Sequence, residues 1–268
     1  MRMFSLLLLA AVAACNRSPA PITLDGGLSA DSAAQTRHGE RLIHVLGCTG
    51  CHGVHLEGSF MTKDEPQYAL YASNLSVELP HHTDAQIDGM IRHGIHPERK
   101  TLWGMPSEIF QHLSDPDFKA LSKFLRSLPA SGAKLPPPQF SKVDKEEIAS
   151  GRFKPAVKLV QESATQLPVD LGPQYALGRY ITEVTCAECH GPKLEGNPNA
   201  EMGRIPNLIV AGGYSRAEFD RLMTEGIAAG NRKINPIMAG VARTRFSHFT
   251  AHERDALYSY LKARADRQ

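Results

Sequence analysis

Apolar positions recur along the chain at helical spacing, and the same succession of helices is written twice. In the first half, Leu42, Ile43 and Leu46 mark one helix, with Gly39 on it. Thr83-Asp84-Ala85-Gln86 has the form of a capping box, followed by Ile87, Met90 and Ile91 and stopped by Gly94. Ser114-Asp115-Pro116-Asp117 opens a last helix whose stripe is Leu121, Phe124, Leu125 and Leu128. In the second half, Leu177, Tyr180, Ile181 and Val184 mark a helix carrying Gly178, with Pro173 suited to its first turn. Ser215-Arg216-Ala217-Glu218 repeats the box, before Phe219, Leu222, Met223 and the stop at Gly226. Thr250-Ala251-His252-Glu253 then opens a helix with Leu257, Tyr260 and Leu261 on one face. Each copy reads as helices joined by loops, so the fold class expected is all-α, an internal repeat of one helical unit.

Between the copies, residues 131–171 hold Pro136-Pro137-Pro138, further prolines at 155 and 168, and no long apolar periodicity. This stretch reads as a Pro-rich linker that packs along a unit surface, with a helical turn or two from Asp144 to Ala149. Residues 1–14 read as an export signal: Arg2 precedes an apolar run from Met3 to Ala14 that is too short to span a membrane. The division expected is therefore a signal at 1–14, a tether at 15–31, units at 32–130 and 172–268, and the linker between them.

What changes the picture is the cysteine spacing. Four of the five cysteines fall in Cys48-Thr49-Gly50-Cys51-His52 and Cys186-Ala187-Glu188-Cys189-His190, two copies of the C-x-x-C-H attachment signature of c-type haem. On a helix, cysteines three apart point from one face toward the two vinyl groups of a porphyrin, and the adjacent imidazole reaches the iron. The cofactors expected are two covalently bound haem c groups, on Cys48 and Cys51 and on Cys186 and Cys189, with His52 and His190 as iron ligands. A zinc site would place its two C-x-x-C halves roughly 15–20 residues apart, and a thioredoxin-like dithiol would sit in a βαβ pattern; neither holds here.

The order of helix with C-x-x-C-H, capped helix and final helix resembles class I cytochrome c, and the chain reads as two tandem domains of that kind. In that family the first and last helices cross closely at a small residue, which implies the pairs Gly39 with Phe124 and Gly178 with Tyr260. The family's second iron ligand is usually a methionine in the loop before the last helix, which implies Met105 and Met238. These lie 133 residues apart, against 138 for the two histidines. Met90 and Met223 fall on apolar helix faces and read as core, while Met61 and Met202 precede the ligand loop. His81, His82, His93 and His96 leave bis-histidine ligation open in the first half. Asn74-Leu75 and Asn207-Leu208 resemble the family's Asn stretch beside the haem, or simply make Asx turns. Trp103, Tyr68 and Tyr71 are candidates to meet the porphyrin edge or its propionates.

Val12-Ala13-Ala14-Cys15 resembles the lipobox of bacterial lipoproteins, which implies lipidation at Cys15 and a mature chain tethered on the periplasmic side of a bacterial membrane. Asn16 resembles outer-membrane sorting if the source is Gram-negative. The formal charge of +2 over 268 residues, with no basic stripe, argues against nucleic acid as a partner. The pattern around Asn74, Gly94-Ile95, Met105-Pro106 and Leu121 to Leu128 is similar to cytochrome c subunits of periplasmic alcohol and aldehyde dehydrogenases, which usually carry three haems where two motifs stand here. The function expected is single-electron transfer between a dehydrogenase or quinol-oxidising donor and an oxidase or reductase acceptor, with no catalytic residues. The alternative is a dihaem enzyme such as a peroxidase with one open iron. A thiosulfate dehydrogenase would need a further cysteine on iron, and a sensor would need an output segment.

Overall fold

The computed structural model describes residues 21–61, 70–200 and 203–267. Cys15, the signal stretch, Tyr68 and Met202 lie outside the described residues. In chain order the helices are α1 (Ser32–Val45), α2 (Cys48–His52), α3 (Leu75–Glu78), α4 (Asp84–His93), α5 (Ser107–Phe110), α6 (Asp115–Arg126), α7 (Lys142–Ala149) and α8 (Ala156–Ser163). They continue as α9 (Ala176–Ile181), α10 (Ala187–His190), α11 (Arg216–Glu225), α12 (Pro236–Thr244) and α13 (Ala251–Ala265). Mostly helical is thus correct, but a strictly all-α reading misses one antiparallel pair, β1 (Ser59–Phe60) with β2 (Tyr71–Ala72). Two residues per strand are too few to write a period into the sequence.

The capping boxes form as expected at Thr83–Gln86, Ser215–Glu218 and Thr250–Glu253. Gly94 and Gly226 close α4 and α11 in the left-handed region, at φ 66° and 72°, where a side chain would be strained. Ser114 is the exception, for its hydroxyl caps nothing and both it and its backbone N–H face Tyr180 instead. Pro173 begins a 3-10 turn before α9, and α9 runs through a π turn at Thr182–Cys186 into α10.

Two helix crossings hold the fold, α1 on α6 and α9 on α13. A Cβ at Gly39 would stand 2.1 Å from the Ala120 carbonyl oxygen and 2.7 Å from Phe124 Cβ. At Gly178 the same atom would stand 2.2 Å from the Ala256 carbonyl oxygen and 2.6 Å from Tyr260 Cβ. Backbone lies against backbone at both crossings, so the obstacle cannot rotate away. Gly39→Ala and Gly178→Ala are each expected to lower stability by about 1–3 kcal/mol. Guanidinium unfolding at neutral pH checks this, and an unchanged midpoint in either variant contradicts the crossing geometry.

The segment between the copies is more structured than its composition suggests. Ser141 caps α7 with a full capping box, and α8 follows Pro155 with Ala156 wholly buried. Upstream, the stretch expected as a tether joins the core from Thr23 onward: Leu24 is fully buried, and its N–H donates to Asp117. No helix among the described residues is long and apolar enough to cross a membrane.

Candidate haem sites

Each C-x-x-C-H stretch is a short helix entered differently. Gly47, left-handed, breaks α1 from α2, whereas the π turn carries α9 continuously into Cys186. After that the two sites share a set of hydrogen bonds. The His52 Nδ1 donates to the Ser73 carbonyl at 2.8 Å, and the His190 Nδ1 to the Pro206 carbonyl at 2.9 Å. With a carbonyl on Nδ1 the proton is fixed there, which leaves the Nε2 lone pair free for a metal. Burial pushes both imidazoles below their ordinary pKa, so both are neutral at pH 7, the form that ligates.

The loops behind them match as well. Gly58 N–H donates to His52 O and Gly196 N–H to His190 O; Leu56 and Leu194, both left-handed and buried, accept from Leu75 and Leu208 N–H. Asn74 and Asn207 take the turn role, their Oδ1 atoms accepting from Ser76 and Ile209 N–H. Asn74 also ties down the Ser131 and Ala133 carbonyls, and Arg264 holds Asn207 with the Lys193 carbonyl.

In the first half a cavity of about 350 Å³ is lined by Cys48, Cys51, His52, Met105, Trp103 and Tyr71 among mostly apolar walls such as Leu79, Phe110 and Leu121. That volume is within the range of about 300–1,000 Å³ usual for cofactor sites. Met61 and Met90 also line it, whereas none of His81, His82, His93 and His96 does. Arg99 lines the cavity too, with its Nε buried and without a partner among the described residues. A carboxylate such as a haem propionate would satisfy that donor, and two unpaired thiols beside an imidazole would suit covalent haem c. The Met105 loop is pinned at both ends: Leu102 N–H donates to Gly94 O, Ala156 N–H to Leu102 O, and the buried Ser107 hydroxyl to Met90 O. Helix α8 therefore supports the site, a role that sequence reading did not give it.

In the second half Cys186 and His190 are buried and Cys189 exposed, while Met238 is half-buried in the first turn of α12, packed on the core. Burial is the main reason the Cys48 thiol is pushed up to about 12 and the Cys186 thiol to about 11. Such thiols are protonated at neutral pH and inert as free nucleophiles.

Glu78, His82 and His96 meet as a buried trio with their ligating atoms within 4.8 Å of one another. However, the His96 Nδ1 accepts from the N–H groups of Glu98 and Arg99, which places the ring proton on Nε2, facing Glu78 at 3.5 Å. That is the opposite tautomer from the one a metal on Nε2 requires.

Sequence reading missed a set of polar ties between the halves. Asp117, the third residue of α6, is wholly buried and accepts from Leu24 N–H, Thr23 Oγ and Tyr180 OH, with His38 Nε2 at 2.7 Å. Glu253, the third residue of α13, is wholly buried and is gripped by both Nη atoms of Arg41 at 2.7 and 2.8 Å. Arg41 and Tyr180 each stand two residues beyond the crossing glycine of their helix, so the halves clasp one another reciprocally. The signal available was this equivalence of position within the repeat.

Residues 175–265 match the cytochrome c family model. No curated protein matches the chain. A cytochrome c domain thus spans Cys186, Cys189, His190 and Met238; it implies a covalently bound haem c and fits the role of an electron carrier.

Proposed function

We propose that the chain is a dihaem c-type cytochrome, two class I-like units in tandem, that relays single electrons between membrane-associated redox partners. The observation that carries this reading is the repetition of the hydrogen bonds around His52 and His190, because the first site has the same imidazole-to-carbonyl bond, glycine contact and Asx turn as the matched domain. When bound, haem supplies an iron that cycles between ferric and ferrous without making or breaking bonds. The chain's residues do the remaining work. Cys48 and Cys51, like Cys186 and Cys189, tether; His52 and His190 ligate through Nε2; Met105 and Met238 offer thioethers that raise the potential. Arg99 neutralises carboxylate charge, and the apolar walls keep water from the first site.

The same reading extends to Cys15 as a lipid anchor holding the carrier at the periplasmic side of a membrane, the outer one if the source is Gram-negative. Its donor would be a dehydrogenase or quinol-oxidising complex, and its acceptor an oxidase or reductase. Haem counting tests the central claim. The intact chain is expected to carry two haems by pyridine haemochrome assay and mass, and Cys48→Ser/Cys51→Ser and Cys186→Ser/Cys189→Ser one each. A single haem in the intact chain refutes the dihaem reading.

A further inference from the structure

Between the two haem-attachment turns stands one arginine. Arg245 Nη1 pairs with Glu188, inside the second motif, at 2.7 Å. Its Nε donates to the carbonyl of Val45, at the end of α1, at 3.2 Å. A Cβ on Gly47, the residue before Cys48, would stand 2.7 Å from the Arg245 Cζ. The guanidinium therefore lies flat on the first attachment turn while holding the second. Its side chain is only 12% exposed, and its Nη2 is buried without a partner among the described residues. Glu188, though part of the second motif, also lines the cavity of the first site. No other ion pair among the described residues touches both attachment turns.

Resting on the dihaem reading, we propose that Arg245 is a positioning residue for electron exchange between the two sites: it fixes the attachment turns against each other and places one shared positive charge, partly balanced by Glu188, beside both haems. In that exchange one electron leaves a ferrous iron on one side and reduces a ferric iron on the other, with no bond made and no proton moved. A positive charge in a poorly solvated place favours the reduced iron, which carries one less positive charge. Because the same charge serves both sites, it raises both potentials together and leaves the gap between them unchanged. The Arg245–Glu188 contact also makes the exchange internal, within one chain rather than between two.

The test is optical redox potentiometry on holoprotein whose haem content has been counted first. Arg245→Gln is expected to shift both midpoints downward, by up to about tenfold in the ferrous-to-ferric ratio at a fixed ambient potential, equivalent to about 59 mV for one electron. Glu188→Gln is expected to shift both upward, by releasing the full charge. Arg245→Lys keeps the charge but cannot make the fork, so its potentials should stay near those of the parent. A structural role alone would treat lysine and glutamine alike. An Arg245→Gln protein with two haems and only one midpoint moved, or neither, overturns the proposal. If that variant fails to fold, Glu188→Gln decides, because two unmoved midpoints there are equally fatal. A parent chain with one haem would instead remove the dihaem reading beneath it, and the prior count separates that failure from the others.

Discussion

Asp117→Ala is expected to cost about 3–5 kcal/mol of folding stability at pH 7, the range for removing one partner of a buried charged cluster. The carboxylate is fully buried, and four groups point at it: Leu24 N–H, the Thr23 hydroxyl, the Tyr180 hydroxyl and the His38 ring. Alanine leaves them in a dry site without an acceptor, and each lost bond exposes a desolvation cost that the native pairing cancels. The residues come from the N-terminal segment, α1 and α9, so the loss is of docking between halves as well as of local structure. Tyr180→Phe removes one donor to Asp117 and the acceptor of the Ser114 N–H, and should cost about 1–3 kcal/mol.

The pH dependence gives a second reading of the same group. Burial raises the Asp117 pKa, but the hydrogen bonds from His38, Thr23, Tyr180 and Leu24 outweigh it, and the net result lies below the ordinary carboxylate value. A group depressed in the folded state contributes stability above its unfolded pKa of about 3.9, and the contribution is lost as pH falls through the folded value. Asp25, depressed through Thr250 and His252 despite its burial, acts in the same direction. Stability of the parent should therefore fall steeply below about pH 4, and the Asp117→Ala curve should be shallower there. Guanidinium melts followed by circular dichroism from pH 7 to pH 3 measure both effects. A loss under about 1 kcal/mol at pH 7, or an unchanged acid slope, would show that the carboxylate does not bear this interface.

The residues legible in the sequence were those whose chemistry is local. A capping box is four residues long, a haem motif five, and the stop glycines follow their apolar stripes directly, so each could be read in place. Gly39 and Gly178 were legible through the family resemblance, and the crossings confirm them with backbone atoms rather than the aromatic rings alone. The clasp was not legible, since Arg41 reaches Glu253 across 212 positions and Tyr180 reaches Asp117 across 63. No periodicity encodes a pairing of that range; it follows from how the units dock. Helix α8 escaped for another reason: eight residues behind a proline give barely two turns, and its one fully buried side chain is Ala156. Nothing local singles out Arg245, since its partners Val45 and Glu188 lie 200 and 57 positions away.

Met105→Ala is expected to open one haem per chain to carbon monoxide, with the other haem unaffected. His52 and Met105 line one cavity, and removal of the thioether leaves nothing equivalent in its place, because the four rival histidines do not line that cavity and the His96 Nε2 carries its proton toward Glu78. Met61 and Met90 do line it, but Met61 is 42% exposed and Met90 is fixed on the core face of α4. The loop itself should keep its course, since its anchors are the backbone of Leu102 and the Ser107 hydroxyl rather than the methionine. Carbon monoxide binding then reports ligation and not unfolding. Met105→His should stay closed to carbon monoxide and show a lower potential at that haem, as exchange of a thioether for an imidazole requires. Met238→Ala should behave like Met105→Ala at the other haem, and the double variant should bind two carbon monoxide molecules per chain. Carbon monoxide binding by the parent would mean that one site is already open, which favours the peroxidase-like alternative over the relay. Absence of binding in Met105→Ala would mean that another side chain holds the iron, and Met90, the other methionine buried on that cavity, would be the next to replace.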